Sequence, residues 1–456
     1  MKLVILLFFT TFTLVSQNIK GVVLDLQSDK PLENVNVYLN TTKKGTVTNI
    51  KGVFYLKSNI SNNDTIQFSM IGYTSKKITF LELIKANYVV YLSQKIENLE
   101  QVVLTSNKTL NPKLHFKKLS SLDYGLHSFA SALVDSKIYV IGGDASYIEY
   151  TEKRALDKVS KIPGATFNDL LKEMRMNASW ENYKGDLQMY DINKNEWTST
   201  SLKFRKRAYN KLNYFNGKLY ILGGKTFSIN RKKEYLDDKI EIFNLKDNTI
   251  TIDDTNPHQA VNFESFVYGN NIMVLGGSLK LNKNGEKIYT NKSHIYNLKT
   301  GFWYELKDML SAKEVKGILI NNKIYLIGGF NGKPISEIES YNITTGKWNK
   351  EGQLFTGIEN PALTYNNDII YIFDYRKMLT YNINTKELNE YNIDLFLKAS
   401  ELYYYNNKIY ILGGFIQDEF SKTPSSKLYS IVINEFLKTK VVKSKKIDSN
   451  IIVTYN

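Results

Sequence analysis

The sequence predicts an all-β chain in two parts, an N-terminal seven-stranded-type β-sandwich followed by a six-bladed β-propeller. Three observations carry that expectation. Between Ile19 and Leu104 short runs alternate apolar and polar residues, which is the period of half-buried strands. Farther along, an apolar strand ending in a glycine pair returns as KIYVIGG (137–143), KLYILGG (218–224), NIMVLGG (271–277), KIYLIGG (323–329) and KIYILGG (408–414), with a degenerate sixth copy, IIYIFDY, at 369–375. Behind five of these copies two aromatic or apolar residues stand seven apart: Tyr190 and Trp197, Phe243 and Ile250, Tyr296 and Trp303, Tyr341 and Trp348, Tyr381 and Leu388. A unit that recurs in this way cannot bury its apolar face alone and stacks on its neighbours.

Residues 1–17, MKLVILLFFTTFTLVSQ, read as a signal peptide: one Lys, an apolar run from Leu3 to Phe9, then small and polar residues at Ser16-Gln17. The apolar run is too short for a membrane span. The chain has no cysteine, which excludes disulfides, thiolate metal sites and a cysteine nucleophile. Export without disulfides points to a bacterial envelope or secreted location: periplasmic, outer-membrane-associated or extracellular. The formal charge is +15, but only six of the 60 basic residues are arginine and the lysines spread along the whole chain. Without a basic cluster or a reading motif, nucleic acid is not an expected partner.

The sandwich is expected over 18–105. In NVNVYL, Val35, Val37 and Leu39 share one face; in GVFYLK, Val53, Tyr55 and Lys57 oppose Phe54 and Leu56. Turn residues at Ser28-Asp29-Lys30-Pro31, Lys44-Gly45 and Lys51-Gly52 separate the runs. The segments GVVLDLQSDKPLENVNVYL, GTVTNIKGVFYL, FSMIGYTSKKITF and ENLEQVVL together resemble the carboxypeptidase regulatory-like domain, a transthyretin-like sandwich. In Bacteroidetes-type bacteria that domain commonly stands at the N-terminus of outer-membrane receptors and other surface proteins, so the resemblance implies a spacer or docking role and association with the cell envelope. It implies no peptidase activity, since no zinc-peptidase HxxE occurs in a catalytic setting.

A linker over 106–113 leads to the propeller at 114–447, and 448–456 form a C-terminal tail. Each repeat has an upstream hairpin turn, such as Asn216-Gly217, Asn321-Asn322 or Asn406-Asn407, and a downstream one such as DINKNE or NITTGK. These residues tolerate the positive φ that tight hairpins need. Four strands and three turns make a propeller blade. The glycine pair with its spaced Tyr and Trp resembles the kelch repeat. Two blades depart from it. Blade five has Asp374-Tyr375 at the glycine positions, and blade six, KLYSIVINEFLKTKVV, lacks the Tyr/Trp pair. Ring closure therefore lies between that segment's own fourth strand and LHFKKLS at 114–120.

A site is expected on the face where the post-glycine loops and inter-blade links gather. Blade one carries the longest loop, Asp144 to Gly185; Thr166-Phe167-Asn168-Asp169 ahead of LLKEMRM reads as a capping box opening a short helix. Such a loop is either a lid or a packed cover. Alignment on the hairpin turns puts Ala130, Lys211, Glu264, Lys316, Pro361 and Glu401 at one level of the innermost strands. The ring of Lys211, Glu264, Lys316 and Glu401 is either a self-neutralising wet channel or, with Arg205, Arg207, Arg231 and Arg376 at the rim, a site for a polar ligand. Arginine's planar fork suits carboxylate or phosphate. His115, His127, His258 and His294 lack metal-ligand spacing, and neither a metal nor a cofactor is expected. GGFNGKP at 328–334 is too short for a phosphate loop, with Pro334 where Ser or Thr belongs.

Two functions compete. One is an exported binding protein that recognises a glycan, peptide or envelope protein through the channel-face loops. The other is a sugar-active enzyme, a carbohydrate mutarotase or epimerase, since some kelch-like propellers are sialic-acid mutarotases; the Glu264 and Glu401 level would supply an acid and a base.

Overall fold

The computed structural model describes residues 17–41, 44–58, 60–94, 109–175, 182–230, 233–281, 286–447 and 451–454. The chain divides into two compact units, Met1–Lys108 and Thr109–Asn456. The expected signal peptide up to Ser16, the ENLEQVVL segment, the expected linker up to Lys108 and Arg231 lie outside the described residues.

The described residues of the first unit form a sandwich of seven strands: β1 (Gln17–Asp25), β2 (Asn36–Leu39), β3 (Lys44–Val47), β4 (Val53–Ser58), β5 (Thr65–Ser69), β6 (Lys76–Thr79) and β7 (Val89–Leu92). One sheet runs β4-β1-β7, the other β3-β2-β5-β6. The alternation in the sequence is obeyed: Val35, Val37, Leu39, Phe54 and Leu56 are buried while Tyr55 is exposed. Phe54 and Phe68 meet edge to face across the core at 5.6 Å. The connection to the parallel strand β7 is a short helix, Phe80–Lys85, opened by a capping box between Thr79 and Glu82.

The second unit repeats a four-stranded antiparallel sheet: its described residues contain five such sheets and a sixth, sheet five in chain order, in which two further strands extend the four. Their innermost strands are Ala130–Val134, Lys211–Phe215, Glu264–Tyr268, Gly317–Ile320, Ala362–Asn366 and Glu401–Tyr405. Consecutive innermost strands pack side by side, and the Tyr403 hydroxyl donates to Ser131 Oγ at 2.6 Å, joining sheet six to sheet one. In sheets one, three and four the Tyr and Trp seven apart are direct cross-strand partners. Their rings lie 5.1, 4.9 and 4.8 Å apart, a contact of the kind that stabilises paired strands.

In five of the sheets a glycine pair ends the second strand with both residues at positive φ, as at Gly328 (+66°) and Gly329 (+113°). A Cβ on Gly329 would stand 2.3 Å from the Glu314 carbonyl oxygen, so close backbone approach and φ both demand glycine. Sheet five needs no pair because its chain turns straight back: Asp374 faces Lys377 across a two-residue turn at Tyr375 and Arg376, both at positive φ.

Closure takes the N-terminal route. Lys117–Lys118 pairs with Tyr429 and Ser430 as the outer strand of sheet six. The segment that would have formed that strand instead makes a 3-10 turn at Ile433–Lys438 and joins sheet five as Lys443–Lys446, itself paired with Ile451–Thr454. In the long loop of blade one the anticipated helix spans Phe167–Arg175, with Thr166 and Asp169 capping each other. A second helix, Thr151–Val159, precedes it. The loop also adds a strand, Ile148–Glu149, to the hairpin that follows the glycines of sheet six, where Ile148 pairs with Lys422.

Candidate functional site

The link entering each innermost strand has a recurring form. In five sheets one residue of the link makes an isolated antiparallel bridge to the residue just after a glycine pair: His127 to Asp144, Ala208 to Lys225, Val261 to Ser278, Glu314 to Phe330 and Lys398 to Phe415. In four of these the next residue is left-handed: Ser128 (+51°), Tyr209 (+62°), Asn262 (+51°) and Ala399 (+50°). All four line a cavity of about 370 Å³ at the channel mouth. That volume is within the range of small-molecule sites.

The cavity wall is charged. Lys287, Lys398 and Lys422 line it together with Glu314, Glu359 and Asp374. Lys287 is 2.9 Å from Glu314, which also accepts a hydrogen bond from Ser278 Oγ at 2.6 Å. Lys422 sits 4.2 Å over the Phe415 ring, and burial lowers its pKa against the pull of Asp144 and Glu359. Burial pushes the Asp374 carboxyl up to about 6; Lys398 and Lys377 act to lower it and Glu359 adds to the rise. A carboxyl tuned in this way exchanges protons near neutrality. The blade-one loop contributes indirectly, because its strand pairing holds the backbone of Lys422.

The charged ring expected from the alignment lies slightly deeper, around a chamber of about 150 Å³. The structure resolves it into two ion pairs, Lys211 with Glu264 at 2.9 Å and Lys316 with Glu401 at 2.6 Å. For Glu401, burial acts to raise the pKa but Lys316 and Lys211 outweigh it and hold it low.

The arginines do not form a rim. Arg207 has no exposed surface; it donates to the carbonyls of Lys239 and Ile221 at 2.8 and 3.0 Å and to Glu241 at 2.8 Å. The reason is a repeated structural position: Glu241, His294 and Glu339 occupy the same place on the third strands, partnered by Arg207, His258 and Lys313. Arg205 pairs with Asp237 at 2.8 Å, and Arg376 lies 4.9 Å from the Phe396 ring. Neither lines the channel-mouth cavity. Arg231 lies outside the described residues. Among the described residues no cluster of three His, Asp or Glu side chains is placed to hold a metal ion.

In the sequence Asp374 stands out only as a departure from the glycine pair, with no signal that places it in a site. Lys398 and Lys422 carry no local signal that separates them from the other lysines.

A CarboxypepD_reg-like domain model matches residues 19–104, and the Kelch motif matches residues 317–354. The chain carries a CarboxypepD_reg-like domain and a kelch-motif region. Kelch domain-containing protein 10 of Homo sapiens is 28% identical over 185 residues, covering 37% of this chain and 40% of the relative. Kelch-like protein 23 of Homo sapiens is 27% identical over 137 residues, 26% of this chain and 24% of the relative. The match thus spans less than half the length of these relatives. A solved structure titled "Structure of YjhT" superposes with a TM-score of 0.50 at 13% identity, covering 74% of this chain and 99% of that one; at that identity the likeness speaks to the fold. Among the described residues no helix is long and apolar enough to cross a membrane.

Proposed function

We propose that the chain is an exported, six-bladed kelch propeller of the mutarotase type, whose channel-mouth pocket takes a small anionic sugar and interconverts its anomers. The observation that carries this reading is Asp374, a carboxyl raised to about 6 by burial inside a ligand-sized cavity that also presents three lysines. Anomer exchange needs one group to take the proton of the anomeric hydroxyl and another to protonate the ring oxygen as the C–O bond opens. Asp374 suits the first task. Lys422, whose ammonium burial makes more acidic, suits the second; closure on the other face of the carbonyl returns both protons. Lys398 and Lys287 offer positive charge to a carboxylate or phosphate on the sugar. The deeper Lys211, Glu264, Lys316 and Glu401 set would contact only a group reaching past the mouth. The sandwich serves as a spacer or docking module in the bacterial envelope.

The test follows a freshly dissolved pure anomer by NMR, with sialic acid, a uronic acid and a neutral hexose compared. Acceleration confined to the anionic sugars, and lost in Asp374→Asn, is the expected result. Saturable binding with anomers relaxing at the uncatalysed rate would replace the enzyme by a glycan-recognition module.

A further inference from the structure

The pocket holds a second group of side chains that anomer exchange does not use. Ser128 lines the cavity at its left-handed turn. Its Oγ lies 2.9 Å from His127 Nδ1, and His127 Nε2 lies 3.6 Å from Asp144 Oδ2. The histidine is 1% exposed and the aspartate 5%, and His127 Nε2 finds no hydrogen-bond partner among the described residues. Reciprocal backbone hydrogen bonds of 3.0 and 2.8 Å tie His127 to Asp144, and the Phe415 ring packs on the imidazole at 5.2 Å. The tautomer protonated at Nε2 turns that proton toward the carboxylate and leaves the Nδ1 lone pair facing the serine hydroxyl. Burial, with Lys422 and Lys225 adding to it, keeps the ring neutral, so one ring nitrogen carries a free lone pair. A hydroxyl, a neutral imidazole and a buried carboxylate in series are the parts of an activated nucleophile.

The geometry points to a nucleophilic centre: Ser128 with His127 as its base, oriented by Asp144, hydrolyses carboxylic esters of small polar molecules, O-acylated sugars among them. Ser128 Oγ bonds to the acyl carbon while its proton passes to His127 Nδ1. The ester C–O bond breaks and the departing alkoxide takes that proton, leaving an acyl-serine. Water then attacks the acyl carbon and gives a proton to His127, which returns it to Ser128 Oγ as the carboxylic acid leaves. Asp144 is a positioning residue in this scheme, and Lys422 provides positive charge on the pocket wall for the tetrahedral oxyanion.

The test uses the full chain with p-nitrophenyl acetate as substrate and a fluorophosphonate as covalent probe. A single adduct that peptide mass spectrometry maps to Ser128 is expected. Ser128→Gly, which suits the positive φ, and His127→Gln should each lower kcat/KM by about 100-fold or more, the scale of general-base assistance. Asp144→Asn should lower kcat at unchanged KM. Absence of an adduct at Ser128, or wild-type hydrolysis by the folded Ser128→Gly chain, overturns the proposal, and wild-type kcat in Asp144→Asn removes Asp144 from it. Labelling requires no sugar. An adduct at Ser128 beside uncatalysed anomer exchange would therefore sink the mutarotase reading alone, and the opposite pair of results would sink this one alone.

Discussion

Replacing Asp374 by asparagine should make the chain more stable at neutral pH while removing its anomer exchange. The carboxyl's ordinary value is 3.8, and burial in the pocket raises it to about 6. Between those two pH values the folded state binds more protons than the unfolded state, so stability falls as pH rises through that window and stays low above it. At about 1.4 kcal/mol per pH unit the full difference is about 3 kcal/mol. Part of the side chain reaches solvent, so the gain expected from the neutral isostere at pH 7 is about 1–3 kcal/mol. Below about pH 3, where both states are protonated, the two proteins should converge. Urea unfolding followed by tryptophan fluorescence isolates the relevant unit, because Trp180, Trp197, Trp303 and Trp348 all belong to Thr109–Asn456. A variant no more stable than wild type at pH 7, or equally stabilised at pH 4, would refute the account of Asp374 as a desolvated, proton-exchanging group.

Other substitutions probe the frame around the site. Arg207→Ala should cost about 3–5 kcal/mol, because Glu241 would stay buried without its cation, while Asp237 keeps only Arg205. In the same urea assay Arg207→Met with Glu241→Leu should recover only part of that loss, since the Lys239 and Ile221 carbonyls remain unmatched. His258, held down to about 4 mainly by burial, contributes stability that is complete above 6.5 and lost as pH falls through 4. Its share is about 3 kcal/mol, so a plot of Tm against pH should be flatter between those limits in His258→Asn than in wild type. Gly329→Ala should lose about 1–3 kcal/mol from φ alone, and contact with the Glu314 carbonyl should shift the pocket; an unchanged Tm would show that the backbone adapts.

Much of the architecture is local and therefore readable. Alternation in NVNVYL and GVFYLK, the Asn-rich hairpin turns, and the cross-strand Tyr and Trp each depend on residues a few positions apart, and each reappears in the structure. The shared level of Lys211, Glu264 and Glu401 also holds, because each stands opposite the last residue of its second strand. Arg207 shows the limit of that reasoning. Its type suggests a rim ligand, yet buried carboxylates and carbonyls around it turn it into a structural cation.

By itself the sequence determined the strand repeat, the glycine pairs and the two-part organisation, since hydrophobic period and backbone stereochemistry operate within one repeat. The tertiary structure alone decided which segment completes sheet six, because two stretches at opposite ends of the unit compete for one edge. It also decided the pocket. His127, Tyr209, Glu314, Asp374 and Lys422 come from distant links and loops and meet only when the sheets pack around the channel. Asp374 acquires its proton affinity from desolvation and from charges on neighbouring blades, quantities that exist only once the chain has folded.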